Sequence, residues 1–312
     1  GEIRPIRGAL AVAALAAERG AKRLILPTDN HHEASAVGGL KIVSAESLQE
    51  LVAVLEGRLE ASVPPQRTET REHVPELAEV RGHATARRVL EIAAAGGHNI
   101  LMRGPPGCGK TMLARRLPGL LPRMTEFERV EVTKVWSAAG LKRGRTGLVD
   151  ARPFRAPHPS ISQAGLIGGG PSMRPGEVSL AHRGVLFLDE IPEMPRRVLE
   201  ALRQPVEDRT VTISRVRQSV LYPASFMLVA AMNPCPCGYQ GHPVKPCSCP
   251  VERVRRYQQR LSGPLLDRFD LTVDVPAVAT ETLFDPPADT PTSTQEARAR
   301  VVAARLRAIE RQ

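Results

Sequence analysis

Three apolar runs in the middle of the chain read as buried parallel strands: Asn99-Ile-Leu-Met102, Gly184-Val-Leu-Phe-Leu188 and Phe226-Met-Leu-Val-Ala-Ala-Met232. Each is short, almost uninterrupted by polar residues, and bounded by turn-forming or acidic residues, as strands covered on both faces should be. Met112–Leu117 can open a helix after the first of them. Toward the amino end, Ala9–Arg19 predicts a helix stopped by Gly20, and Lys22–Leu26 a strand stopped by Pro27. Leu40–Val43 predicts another strand, and Ala45–Glu56 a helix ended by Gly57. Thr210–Ser214 and Ser219–Tyr222 alternate around Arg215-Val-Arg217-Gln218, which reads as a β-hairpin.

These elements divide the chain. Residues 1–60 form a small α/β domain, and residues 61–75, with Pro64, Pro65 and Pro75 among polar residues, a linker. Residues 76–276 form a larger α/β domain with a parallel sheet flanked by helices. Residues 277–312 hold a second linker, centred on 285–295, and a polar, Arg-rich helix over Gln295–Gln312. That helix has so few apolar anchors that it is expected to pack on something outside this chain. No internal repeat is visible, and no apolar stretch is long enough to span a membrane; Gly8–Ala17 comes nearest. Without a signal peptide or a starting Met, the sequence reads as a cytoplasmic piece of a longer protein.

Charge narrows the partners. Lys plus Arg number 43 against 33 for Asp plus Glu, a net charge of +10. That excess favours a polyanion such as nucleic acid, although a solvated basic surface would account for it as well.

The candidate chemistry begins where the first strand ends. Gly104-Pro105-Pro106-Gly107-Cys108-Gly109-Lys110-Thr111 is a complete phosphate-binding loop, GxxxxGK[ST], set between a strand and a helix. Backbone N–H groups freed by the glycines, with the positive end of the following helix, would face the phosphates of ATP. Lys110 would reach the β- and γ-phosphates, and the Thr111 hydroxyl would sit on Mg²⁺.

Val185–Glu190 is an apolar strand that ends in two acids. Asp189 can hold the Mg²⁺ shell, and Glu190 can orient or deprotonate the attacking water. Asn233, at the end of the third run, stands where a polar residue can hydrogen-bond the γ-phosphate or that water. Leu265-Leu-Asp-Arg-Phe-Asp270 places Arg268 where ring-forming ATPases carry an arginine that acts on a neighbour's γ-phosphate. A local Asp267–Arg268 surface pair is the plainer alternative.

Cys235-Pro-Cys237 and Cys247-Ser-Cys249 give two CxC pairs. Four thiolates can make a tetrahedral Zn²⁺ site, although the spacing is tighter than the usual CxxC knuckle, and His242 between the pairs could replace one ligand. Four reduced cysteines in a flexible loop fit the same sequence. In a cytosolic chain the cysteines do not suggest a disulfide scaffold.

Together Gly104–Thr111, Val185–Glu190, Asn233 and Leu265–Asp270 resemble an AAA+ ATPase of the magnesium-chelatase type. Phe154-Arg-Ala-Pro-His-Pro-Ser160, Gly168-Gly-Gly170, Pro175–His182 and Asn233-Pro-Cys-Pro-Cys-Gly238 narrow the resemblance to the YifB/ComM family of chelatase-like ATPases. The resemblance implies an insertion in helix 2 between Lys110 and Asp189, and a β-hairpin ahead of the Asn233 strand that faces a ring's pore. Arg215 and Arg217 on that hairpin would then contact phosphates of a threaded strand, unless they are simply solvated. Lys142, Arg143, Arg145, Arg152 and Arg155 add positive charge in the insertion.

The resemblance also makes residues 1–60 part of a Lon-protease-like domain. Val12 aligns with the catalytic Lys of Lon-type proteases, and the half that would carry the nucleophilic Ser is absent, so peptidase activity is not expected. The last residues would begin a truncated helical lid. The implied protein is a homo-oligomeric, hexameric ring that hydrolyses ATP with Mg²⁺ and moves on single-stranded or branched DNA. Branch migration or helicase action in homologous recombination and natural transformation follows from the same resemblance. Two alternatives stay open: a metal-insertion motor and a protein-remodelling machine.

Overall fold

The computed structural model describes residues 1–60, 63–64, 74–141, 147–215, 218–242, 244–278 and 292–311. Most of both predicted linkers, and Lys142, Arg143, Arg145 and Arg217, lie outside the described residues. No helix among the described residues is long and apolar enough to cross a membrane.

The chain divides into two compact units. The first joins Gly1–Glu72 with Met124–Ala151. Its strands β1 (Arg23–Pro27) and β2 (Lys41–Ala45) pair in parallel, Leu24 with Ile42 and Leu26 with Ser44. Helix Ala9–Glu18 ends where Gly20 takes a left-handed φ of 75°. Helix Leu48–Leu55 starts later than its sequence suggests, because β2 runs on through Ala45 and the Ser47 side chain caps Glu50 N–H. Ala9, Ala13, Leu26 and Ala34 close the apolar centre. Beneath them the buried Glu33 accepts from Leu10 N–H at 3.1 Å and from the Ser137 hydroxyl. Ser137 belongs to helix Glu126–Ala139, which opens with a Thr125/Glu128 capping box. Val12, at 42% exposure, presents an apolar side chain to solvent.

The second unit, His73–Arg123 with Arg152–Gln312, holds a five-stranded, all-parallel sheet. Its strands are β3 (Ile100–Arg103), β4 (Phe154–Arg155), β7 (Val185–Leu188), β10 (Met227–Met232) and β11 (Leu271–Asp274), in the order β11-β3-β10-β7-β4. β3, β7 and β10 are the three apolar runs, and all but Arg103 of their residues are buried. Edge strands β4 and β11 carry too few apolar positions to stand out in sequence. Phe187 stacks on Phe154 at 6.0 Å between ring centroids, and its full burial contributes about 2–3 kcal/mol.

Between β4 and β7 a two-residue antiparallel pair, β5 (Gly168–Gly169) with β6 (Arg174–Pro175), separates helix Gln163–Ile167 from helix Glu177–Leu180. This is the expected interruption of helix 2. Gly176 lets the backbones meet: a Cβ there would stand 2.4 Å from Gly168 N and Leu166 O. β8 (Thr210–Arg215) and β9 (Gln218–Pro223) then form the expected hairpin, with Arg215 opposite Gln218. The hairpin is anchored by buried Val211 and Ile213 and by Tyr222 Oη, which donates to Met173 O at 3.0 Å.

Two expectations are corrected. Helix Thr294–Ile309 packs within this unit rather than on something outside the chain. Arg300 grips Glu91 with two bonds of 2.6 and 3.1 Å, Arg305 donates to Ala94 O, and Ala297 and Val301 are buried in the core. The polar pattern hid this because arginines supply the contacts that apolar side chains usually make. Arg152 and Arg155 are also engaged inside the fold. Arg155 binds Glu177 at 2.6 and 2.8 Å, and Arg152 donates to Pro122 O and Arg183 O.

Candidate functional site

The site lies at the carboxyl ends of β3, β10 and β7, the edge where parallel α/β sheets hold ligands. The phosphate loop leaves β3 and is tied to its neighbour by Gly104 N–H donating to Met232 O at 3.2 Å. Gly104 is sterically required: a Cβ would stand 2.1 Å from Val275 O. Gly107 and Gly109 take φ of 76° and 90°, left-handed values that glycine adopts without strain. The helix that follows is Lys110–Ala114, and a second begins at Leu117, so the expected Met112–Leu117 helix is split. Pro118 accounts for the break: it has no N–H to donate to Ala114 O and its ring crowds that carbonyl, so it sits in the first turn of a new helix instead.

Four side chains converge there. Lys110 is buried, and its Nζ donates to Gly104 O at 2.7 Å, Pro105 O at 2.8 Å and Asn233 Oδ1 at 3.3 Å. Thr111 Oγ1 donates to Asp189 Oδ2 at 2.8 Å. Glu190, next in sequence, holds a left-handed backbone (φ 46°, ψ 42°) and donates its N–H to Asp189 Oδ1 at 2.9 Å. For a non-glycine residue that conformation costs about 1–2 kcal/mol, and such strain concentrates at functional positions. A cation, a hydroxyl, a carboxylate and an amide thus share one sheet edge beside the glycine-rich loop. That donor set fits a phosphate with a hard divalent cation.

Arg268 is not among them. It follows helix Gly263–Leu266 and precedes β11, and its carbonyl accepts from Asn99 Nδ2 at 2.8 Å. Asn99 stands at the amino end of β3, so Arg268 occupies the opposite sheet edge, about 10 Å or more from the phosphate loop. Its guanidinium pairs with Glu207, not with Asp267.

The four clustered cysteines come together. Cys235 Sγ lies 3.3 Å from Cys237 Sγ and 3.6 Å from Cys247 Sγ, and all four sulfurs fall within 4.8 Å of one another. His242 is outside the group; its Nδ1 accepts from Val244 and Lys245 N–H. The Tyr239 backbone N–H, and then the neighbouring thiols, bring the Cys237 thiol down to about 6. For Cys247 the Cys249 N–H acts the same way, but burial and the thiols beside it prevail and push it up to about 12.

Arg215 is exposed near the hairpin tip, and Arg217 falls outside the described residues. The sequence did not single out His83. It takes φ 52° ahead of helix Ala84–Gly96, and its ring stands against the phosphate loop, bonded to the Cys108 backbone. Burial holds its pKa below the usual histidine value. Only its place after Gly82 at a helix start could have hinted at this.

The family model described as "Magnesium chelatase, subunit ChlI" matches residues 76–283. An uncharacterised protein of Mycobacterium tuberculosis is 45% identical over the whole chain, which spans 61% of that relative. YifB of Escherichia coli, also uncharacterised, is 43% identical with the same coverage. Competence protein ComM of Haemophilus influenzae is 43% identical over 88% of the chain and 55% of its own length. The chain therefore spans about three fifths of the length of the relatives it matches most fully.

Proposed function

As this chain belongs to the magnesium chelatase subunit ChlI family, we propose that it is the motor portion of an Mg²⁺-dependent ATPase that moves on DNA. The observation that supports ATP hydrolysis is the meeting of Lys110, Thr111, Asp189 and Asn233 at one sheet edge. In this reading the backbone N–H groups of Gly104–Thr111 cradle the phosphates, and Lys110 neutralises the β- and γ-oxygens. Thr111 and Asp189 hold Mg²⁺, which supplies charge neutralisation when bound. Glu190 takes the proton of the attacking water, and Asn233 orients it.

Arg268 completes the site of a neighbouring copy in a ring. Its position at the opposite edge supports this, because a side chain there cannot reach its own phosphate loop. DNA as the track is supported by the basic balance, by Arg215, exposed near the end of the β8–β9 hairpin, and by the likeness to a competence protein. Branch migration during recombination is the specific activity we assign.

The test is the ATPase rate of the full-length protein with and without single-stranded, double-stranded and branched DNA. Stimulation by branched DNA, with strand exchange of a mobile junction, is expected. Hydrolysis that ignores every DNA would replace the DNA track with a protein or metal-insertion partner.

A further inference from the structure

The segment between the two cysteine pairs has no apolar core of its own: among its described residues from Gly238 to Lys245 the one aliphatic side chain, Val244, is 81% exposed, and Gln240, Gly241 and Lys245 are exposed as well. Besides the packing of Tyr239 against His242 and Lys245, the four sulfurs make the contacts that join the two cysteine pairs. In a tetrahedral zinc–thiolate site with bonds of about 2.3 Å, sulfurs stand about 3.8 Å apart. The distances of 3.3 to 3.6 Å between Cys235, Cys237 and Cys247 approach that spacing without forming a disulfide. Backbone N–H groups already point at the sulfurs, Gln240 N to Cys235 Sγ at 3.3 Å and Cys249 N to Cys247 Sγ at 3.4 Å. Such outer bonds hold thiolate ligands in zinc knuckles.

The loop's position gives the cluster a consequence. It follows Asn233 directly, and Gly238 presses on the phosphate loop: a Cβ there would stand 2.6 Å from Pro106 Cδ and 3.9 Å from Asn233 Cγ. Helix Val251–Gln258, which begins after the second cysteine pair, returns to the same point, where Gln258 Nε2 donates to Pro234 O at 3.2 Å. One end of the cysteine loop therefore carries Asn233, and Gly238, next to the first cysteine pair, lies against Pro106.

We propose that Cys235, Cys237, Cys247 and Cys249 bind one Zn²⁺, and that this metal positions Asn233 and the phosphate loop for ATP. Four thiols lose their protons to the solvent as the metal enters, leaving four thiolates on one ion. The metal does not touch the nucleotide. Gly238 is the positioning residue that transmits its presence to the phosphate loop, and Asn233 is the site residue whose placement it governs. The consequence for ATP rests on the ATPase reading; the metal site itself does not.

The experiment uses the full-length protein. Metal analysis after purification without chelator should find about one zinc per chain, and cobalt exchanged into the site should give the absorption of tetrahedral thiolate ligation. Stripping zinc should weaken binding of a fluorescent ATP analogue about tenfold or more, and returning zinc should restore it. Gly238→Ala keeps all four thiols, so it should retain its zinc yet lose ATP affinity to a similar degree. Gly238→Ala tests the contact, because its Cβ meets Pro106 directly; reversible stripping tests the metal, because a purely structural zinc would leave ATP affinity unmoved. Iron in place of zinc, or no metal with four freely titratable thiols, overturns the zinc site. Zinc bound, with ATP affinity unmoved by stripping and by Gly238→Ala, overturns the coupling. Zinc bound in a protein that never binds ATP overturns the ATPase reading and the coupling together, and leaves the metal site standing. Reversible stripping decides the coupling without any substitution in the cysteine loop.

Discussion

Thr111 donates its hydroxyl to Asp189 across 2.8 Å, joining the first turn after the phosphate loop to the tip of β7, 78 residues away in sequence. If the two share a Mg²⁺, Thr111→Val should keep the fold and weaken Mg²⁺ binding. A hydrogen bond to a charged group contributes about 1.5–3 kcal/mol, or about 10- to 100-fold in affinity. Titrating ATPase activity with Mg²⁺ checks this; an unchanged half-saturation point would remove Thr111 from the metal.

Lys110→Ala should abolish tight ATP binding, since the buried ammonium is the only side-chain cation among the described residues that bonds both loop carbonyls and Asn233. Glu190→Gln should bind ATP nearly normally and stop turning over, because Asp189 keeps its place while the base is lost. Single-turnover hydrolysis beside equilibrium nucleotide binding separates the two effects. Undiminished turnover by Glu190→Gln would exclude Glu190 as the base.

Arg268→Ala should bind ATP and fail to hydrolyse it. Its place at the amino-terminal edge of the sheet predicts complementation: Arg268→Ala and Lys110→Ala subunits, co-assembled, should regain part of the activity that neither has alone. Mixed assemblies that stay inactive, once their mixing is verified, would rule out action on a neighbour.

Replacing Arg215 and Arg217 together by Ala should weaken DNA binding without base preference, leaving ATPase activity in the absence of DNA intact. Phosphate contacts release counterions, so the slope of log affinity against log salt should flatten by about two contacts per engaged subunit. Filter binding across a salt series measures the slope, and an unchanged slope would place the DNA elsewhere.

Stability should fall on acidification below pH 6.5. Burial first, then Arg87, keeps the His83 pKa below its unfolded value of 6.5, although the Cys108 backbone bond opposes this; burial and then His32 do the same to His31. Below 6.5 the unfolded chain binds protons that the folded chain refuses, so stability present above that pH is lost as pH drops toward the folded values. Thermal melts at pH 7.5 and 5.5 test this. His83→Gln should reduce the difference, and an identical difference would mean that His83 does not contribute.

The sequence by itself determined the parts that are local in the chain. Gly104–Thr111 announces a phosphate loop because backbone conformation there depends on glycines at fixed offsets, and β3, β7 and β10 announce themselves because both their faces are buried. The hairpin was legible from alternation on both sides of a polar turn. Only the tertiary structure decided what depends on residues far apart in sequence. Strand order brings Asn233 to Lys110, edge strands too short for a pattern complete the sheet, and arginines seat the last helix by reaching Glu91 and backbone carbonyls. The contact of Gly238 with Pro106 is of the same kind: neither residue carries a chemical signal, and their meeting follows from how two loops leave neighbouring parallel strands.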